Sequence, residues 1–164
     1  MTPQLEGVTL QTGQGDSYWV LGDRYTFKAV SEETDGKYAF LELVIYPQDG
    51  TPPHIHSREA ESFYIQAGTV EFQLGDRTLV ATAGTFVHSP IGQRHQFTNI
   101  GSVPAKMLCW ATPAGVEKFF AEIGTKVEDP AALPPPVTPA DIEKVMAIAP
   151  QYGITILPPP ASAL

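Results

Sequence analysis

Residues 52–64 have the sequence PPHIHSREAESFY, a stretch that places two histidines close to a carboxylate. Successive side chains of a β-strand point to opposite faces, so His54 and His56, two positions apart, can face the same way as a chelating pair. Glu61 stands at the head of a new apolar strand and can supply a third ligand. This pattern predicts a β-protein that carries part of a metal site on one strand.

A second segment supplies the remaining ligand. Residues 84–95 have the sequence GTFVHSPIGQRH, which predicts a turn, a strand and a Pro/Gly turn before His95 opens another strand. Three imidazoles and one carboxylate suit a borderline divalent metal. We therefore predict His54, His56, Glu61 and His95 as the metal ligands.

Together the two segments resemble the paired motifs of the cupin family. The first motif corresponds to Gly50, His54, His56, Glu61 and Gly68, although fewer residues than usual separate Gly50 from His54. The second motif matches throughout, at Gly84, Pro90, Gly92, His95 and Asn99. The resemblance implies an all-β jelly-roll barrel of two sheets with the metal inside.

Three further stretches are similar to small single-domain quercetinase-like cupins. They are residues 52–64, 113–120 and 151–154. In such enzymes the resemblance implies a flavonol bound to the metal through its enolic hydroxyl. It also implies a base at Glu61, and cleavage by dioxygen to a depside with loss of carbon monoxide. We therefore expect one divalent transition metal per chain as the cofactor: nickel, cobalt, manganese, iron, copper or zinc.

The remaining candidate residues keep alternatives open. Glu61 can be a ligand, a base or both, and Glu59 is interpreted as a solvated turn residue. His88 either points outward or lines the cavity. Phe63, Phe97 and Trp110 are expected, together with His88, to wall the substrate pocket. Cys109, the single cysteine, is expected to be a small buried residue in a strand.

Composition limits the classes of function. The chain has 164 residues with 43% apolar content, which suits one domain, 1–164. Ten basic residues among eighteen acidic ones give a net charge of −8, which argues against nucleic acid as a partner. The N-terminus lacks a basic region followed by an apolar run, and there is no long apolar stretch, so we expect a cytoplasmic protein without a membrane partner.

The pattern of strands and turns divides the domain. Short strands punctuated by turn residues predict a barrel or sandwich core over about 18–112, including a hairpin at residues 70–80 with positions 70, 72 and 74 facing the core. A helical extension is expected over about 113–164. It should contain a helix ending at Gly124 and a second helix over 140–149, capped by Thr138.

The second helix of the extension has a predicted apolar stripe of Ile142, Val145, Met146 and Ala149. After it, residues 154–157 are expected to pair or pack. The extra apolar surface at both ends of the chain favours a homodimer with two-fold symmetry.

Three functions remain possible from the sequence. The leading hypothesis is a metal-dependent dioxygenase that uses dioxygen to cleave a flavonol-like or other enolisable aromatic small molecule. The second is a metal-dependent isomerase, lyase or epimerase of a small carbonyl compound. The third is a non-catalytic module that binds a metabolite.

Overall fold

The computed structural model describes residues 6–158, in which two antiparallel β-sheets face each other and helices cover one end. The strands are β1 (Ser17–Val20), β2 (Asp23–Ala29), β3 (Ala39–Ile45), β4 (His54–His56), β5 (Ala60–Ala67), β6 (Thr69–Leu74), β7 (Arg77–Thr82), β8 (Phe86–Ser89), β9 (His95–Asn99), β10 (Ala105–Thr112), β11 (Thr125–Lys126) and β12 (Ile154–Ile156). The helices are α1 (Ser31–Thr34), α2 (Val116–Ile123) and α3 (Pro139–Ile148), and a 3₁₀ turn spans Ala149–Tyr152.

The strand order is that of a jelly roll. The larger sheet has the order β11-β1-β2-β3-β10-β5-β8, and the smaller sheet has the order β12-β4-β9-β6-β7. Each sheet contains neighbouring strands that are distant in sequence. In the larger sheet β10 lies between β3 and β5, and in the smaller sheet β9 lies between β4 and β6. The prediction of an all-β jelly-roll barrel is confirmed.

The core lies between the two sheets and follows the period of two along each strand. In β3 the buried residues alternate with half-buried ones, and β10 repeats this pattern opposite it. The inward side chains of these two strands are Ala39, Leu41, Leu43, Ile45, Ala105, Met107, Cys109 and Ala111. Cys109 is therefore a small buried strand residue, as expected.

The hairpin of β6 and β7 forms as predicted. Val70, Phe72 and Leu74 are buried, and the two residues after Leu74 turn the chain so that Leu74 pairs with Arg77. Gly68 precedes this hairpin with φ +88, and a Cβ there would lie 2.7 Å from the Cα of Ala105. Only glycine fits both this backbone conformation and this close approach.

The C-terminal helices form where the sequence places them, with one correction. Thr138 caps α3, since its side chain accepts a hydrogen bond from the backbone N–H of Asp141 and the Asp141 carboxylate accepts one from Thr138 N–H. Val145 is buried, but Ile142 and Met146 are 46% and 50% exposed. The predicted apolar stripe is wrong at these two positions because α3 packs through a narrower face.

Two short elements were not predicted. α1 is a single helical turn, and β11 is a two-residue strand that pairs with β1. Gly124 follows α2 as expected, and its backbone is extended, with φ −78 and ψ 170. Glycine is needed there because a Cβ would lie 2.7 Å from the carbonyl oxygen of Phe120.

The segment 154–156 pairs as β12 with β4 and so joins the smaller sheet. None of the helices within residues 6–158 combines the length and the apolar character needed to cross a bilayer.

Candidate metal centre

Strands of both sheets bring the four predicted ligands together. His54 and His56 lie on β4, and His95, the first residue of β9, pairs with His54. Glu61 lies on β5 of the other sheet and faces them across the barrel. Each of these residues offers one ligand atom, and the four atoms lie within 4.8 Å of one another. All four side chains are buried, with His54 the most exposed at 8%.

The imidazoles are held from outside by hydrogen bonds at Nδ1. The Nδ1–H of His54 donates to the carbonyl oxygen of Pro52 at 2.8 Å. His95 Nδ1 lies 2.9 Å from Ser89 Oγ and 3.2 Å from the carbonyl oxygen of Gln93. Because a carbonyl oxygen only accepts, Nδ1 carries the proton in both rings. Nε2 is therefore the nitrogen left for a ligand.

His56 follows the same arrangement with a different acceptor. Its Nδ1–H donates to a carboxylate oxygen of Glu59, a residue that is 4% exposed. The expectation that Glu59 is a solvated turn residue is wrong, because the turn before β5 folds its side chain inward beneath His56. The sign of this contact in the sequence is that Glu59 stands three positions after His56.

Glu61 occupies the centre of the cluster. One carboxylate oxygen lies 2.9 Å from Nε2 of His95 and 3.2 Å from Nε2 of His56. Burial alone would raise the pKa of Glu61, but the charges of His56 and His95 and their hydrogen bonds hold it well below its usual range. Glu61 is therefore an ionised carboxylate at neutral pH.

The histidines differ electrostatically. Burial, together with the neighbouring His95 and His56, lowers the pKa of His54 to about 3, so this ring is neutral. Burial also acts to lower the pKa of His56, but the charge of Glu61 and the hydrogen bonds to Glu59 and Glu61 outweigh it and raise the pKa to about 10. The proton on His56 thus offsets negative charge of Glu59 and Glu61 where no other cation is present.

This donor set fits a divalent transition metal. The Nε2 atoms of three rings and one carboxylate oxygen converge, and each ring is oriented by a hydrogen bond at Nδ1 on its far side. Such outer partners are typical of metal-ligating histidines. A divalent cation would replace the proton of His56 as the charge that balances the carboxylates. The four buried residues could therefore hold one metal ion.

The predicted pocket residues lie elsewhere. His88 and Trp110 both pair with Ser62 in neighbouring strands, which places them on the outer face of the larger sheet, opposite to Glu61. His88 is exposed and its Nδ1 lies 2.9 Å from Ser62 Oγ, while Trp110 stacks on Phe86. Of the two alternatives for His88, the structure therefore has the outward one, and the expectation that Trp110 walls the pocket is wrong, because the period of two turns both side chains away from the metal centre.

Phe63 and Phe97 are also misplaced as pocket walls. Both are almost fully buried, at 1% and 3% exposure, and their rings contact each other and Phe72 in the core. They share the inner face with Glu61 and His95 but lie two residues further along their strands, and neither lines the cavity described below.

A small cavity adjoins the centre from the helical end of the barrel. It measures about 50 Å³ and contacts His54 and His56. Tyr25 on β2 and residues 50–52 form part of the wall, and the C-terminal elements supply most of the rest. Those C-terminal residues are Phe119, Phe120, Ile123, Val145, Ile154 and Ile156. Within the described residues, no Arg, Lys, Asp or Glu lines this cavity.

Two weakly acidic groups lie near Glu61 and are neutral. Burial and then the charges of Asp23, Glu61 and Cys109 raise the pKa of Tyr25 well above its usual value. Burial and the charge of Glu61 do the same to the pKa of the Cys109 thiol, whose sulfur lies 4.0 Å from Glu61. Cys109 is not among the four residues whose ligand atoms converge.

Comparison with known proteins agrees with this geometry. Residues 41–111 match the family model of the cupin domain. The match contains all four candidate ligands. The barrel has the cupin fold. Three solved cupin-like structures extend the likeness beyond this segment.

The first is described as a predicted oxalate decarboxylase from Thermotoga maritima, with 17% identity and a TM-score of 0.60 over 66% of this chain and 99% of that one. The second is KdgF from a Halomonas species, with 12% identity and a TM-score of 0.60 over 69% and 98%. The third is an RmlC-like cupin from Shewanella frigidimarina, with 13% identity and a TM-score of 0.59 over 69% and 96%. At these identities the likeness is one of fold.

A curated relative matches only the cupin segment. It is mannose-1-phosphate guanylyltransferase 2 of Escherichia coli O157:H7, 25% identical over 72 residues. The match covers 44% of this chain and spans 15% of the length of that protein. The C-terminal helices that line the cavity lie outside residues 41–111.

Proposed function

We propose that this protein is a metal-dependent dioxygenase that cleaves a flavonol-like or other enolisable aromatic substrate. The observation that carries the proposal is the contrast between the metal centre and its cavity. The centre is polar and has a central carboxylate, whereas the cavity beside it is lined by apolar and aromatic side chains. A substrate with one enolic hydroxyl and an otherwise apolar body matches both.

The same contrast disfavours small dianionic substrates. A second carboxylate or a phosphate of a substrate would need a cationic partner, because burying an unpaired charge is costly. Within residues 6–158 the cavity offers no Arg or Lys for this purpose. Oxalate-like and sugar-phosphate substrates are therefore less suitable than an aromatic enol.

The residues of the chain have separate tasks in this proposal. His54, His56 and His95 hold the metal, which when bound would polarise the enolic oxygen and favour its deprotonated form. Glu61 is ionised and buried, and it takes the proton of the substrate hydroxyl. The apolar walls of α2 and α3 exclude water from the reaction. Both atoms of dioxygen enter the products, and the substrate itself supplies the electrons.

The size of the cavity imposes a condition. Pockets for drug-sized ligands measure about 300–1,000 Å³, whereas this cavity measures about 50 Å³. A flavonol therefore requires this cavity to enlarge on binding. The small volume favours, as a second candidate, a non-oxidative isomerisation or lyase reaction of a small carbonyl compound.

Oxygen dependence separates the two candidates. Protein loaded with nickel, cobalt, manganese, iron, copper or zinc is incubated with quercetin, with and without dioxygen, while the flavonol absorbance is followed. We expect loss of absorbance only with dioxygen, and a fall in turnover of about 10²- to 10⁴-fold in Glu61→Gln. Glu143→Gln, an exposed substitution on α3, serves as the control with unchanged turnover. If none of the six metals supports turnover, the dioxygenase proposal is refuted.

A further inference from the structure

The metal centre contains a second buried carboxylate that does not face the ligand atoms. Glu59 immediately precedes β5 and is 4% exposed. Its carboxylate accepts the Nδ1–H of His56 on the side of the ring remote from Glu61. His56 thus lies between two carboxylates, one at each ring nitrogen.

The three candidate histidines therefore have unequal outer partners. His54 donates to a backbone carbonyl, and His95 contacts a hydroxyl and a backbone carbonyl. These acceptors are neutral, whereas the acceptor of His56 is a carboxylate. A carboxylate acceptor fixes the tautomer and the ring orientation and raises the basicity of the opposite nitrogen. Among the three rings, His56 should consequently be the strongest donor to a metal.

Burial makes a purely incidental role for Glu59 unfavourable. An isolated carboxylate is costly to remove from water unless it is paired. The hydrogen-bond partner of this carboxylate is the ring of a candidate ligand. We propose that Glu59 is a positioning residue of the metal centre, which holds His56 with Nε2 directed at the ligand cluster and strengthens that nitrogen as a donor.

This inference rests on the proposed metal-dependent function but concerns metal retention rather than turnover. A role of Glu59 in folding alone would predict a change in stability without a change in the bound metal. The chain offers a matched control for that alternative. Glu117 is also a buried carboxylate, at 2% exposure, and accepts hydrogen bonds from the backbone N–H groups of Ser31 and Gly115 at the start of α2.

The test uses cobalt as the probe. Metal-free wild-type protein, Glu59→Gln and Glu117→Gln are titrated with Co²⁺ against a competing chelator, and the visible spectrum of bound cobalt is recorded. Loss of an outer partner typically weakens metal binding about 10- to 100-fold. We expect this loss and a changed cobalt spectrum in Glu59→Gln, and wild-type affinity and spectrum in Glu117→Gln. Wild-type affinity and spectrum in Glu59→Gln overturn the proposal, even when the variant is less stable.

Two further variants keep the outcome unambiguous. If Glu59→Gln does not fold, Glu59→Asp retains the carboxylate on a shorter side chain. It should bind cobalt more weakly than wild type, and unchanged affinity again overturns the inference. His95→Ala tests the metal centre itself. Wild-type cobalt affinity in His95→Ala refutes the proposed centre, whereas weakened binding in His95→Ala with normal binding in Glu59→Gln refutes only the role of Glu59.

Discussion

Phe63→Ala should be among the most destabilising single substitutions in this barrel. The ring of Phe63 is 1% exposed. Its centroid is 5.3 Å from that of Phe72, 5.7 Å from that of Phe97 and 6.4 Å from that of His95. Truncation to Ala therefore removes the contacts of Phe63 with three neighbouring rings and leaves a cavity. The flanking strands cannot move together to fill it without losing their register.

Burial of this kind sets the size of the effect. A Phe→Ala change in a core typically costs about 3–5 kcal/mol. For a chain of this length, each kcal/mol shifts the Tm by about 2–4 °C, so the Tm should fall by about 6–20 °C. Thermal and urea unfolding of metal-free protein measure the change, because bound metal would add its own stabilisation.

A matched substitution controls for the loss of an aromatic ring. Phe86 lies on the neighbouring strand β8 but is 57% exposed on the outer face, so Phe86→Ala should change the free energy of unfolding by less than about 1 kcal/mol. A cost below about 1 kcal/mol for Phe63→Ala would refute the placement of this ring in the core.

Three other outcomes can be measured directly. A chelator should lower the Tm of metal-loaded protein but not that of His95→Ala, because a bound ligand at 100 times its Kd adds about 2.7 kcal/mol to folding; equal Tm losses in both proteins would argue against the centre. Burial raises the pKa of Asp23 from 3.8 to about 8, against the hydrogen bond from Tyr46 N–H and together with the charge of Asp49. Since the folded state then binds more protons than the unfolded chain, the free energy of unfolding should fall as the pH rises from about 4 to 8, and Asp23→Asn should lessen this fall. The same pH dependence of unfolding in wild type and Asp23→Asn would contradict this prediction. Light scattering should give twice the chain mass of 17.7 kDa, since we still predict a homodimer, and a monomer at micromolar concentration would contradict that prediction.

The strand pattern predicted an all-β core and the motif spacing predicted the ligand cluster, whereas the jelly-roll closure came from the cupin resemblance. The alternation in β3, β6 and β10 specifies which residues face inward, whatever the order of the strands. The spacing of His54, His56 and Glu61 places their side chains on the inner face without knowledge of the partner strands. The cap at Thr138 likewise depends only on neighbouring residues.

What the sequence did not predict depends on register and on side-chain packing across the barrel. The choice between the two positions of His88, and the outward position of Trp110, follow from the pairing of both residues with Ser62, which no local pattern records. The inward fold of Glu59 depends on the path of a single turn. Exposure of Ile142 and Met146 depends on how far α3 tilts onto the barrel.

The pairing of β12 with β4 has a consequence for the order in which the protein is assembled. Ile154 pairs with His56 and Ile156 pairs with His54, so the strand of the two histidines is completed by a segment about a hundred residues downstream. At translation rates of about 5–20 residues per second, roughly 5–20 s separate the synthesis of the two strands. During that interval the His-x-His strand has a free edge on the nascent chain. Metal ions and folding factors of the cell therefore meet these histidines before the barrel closes around them.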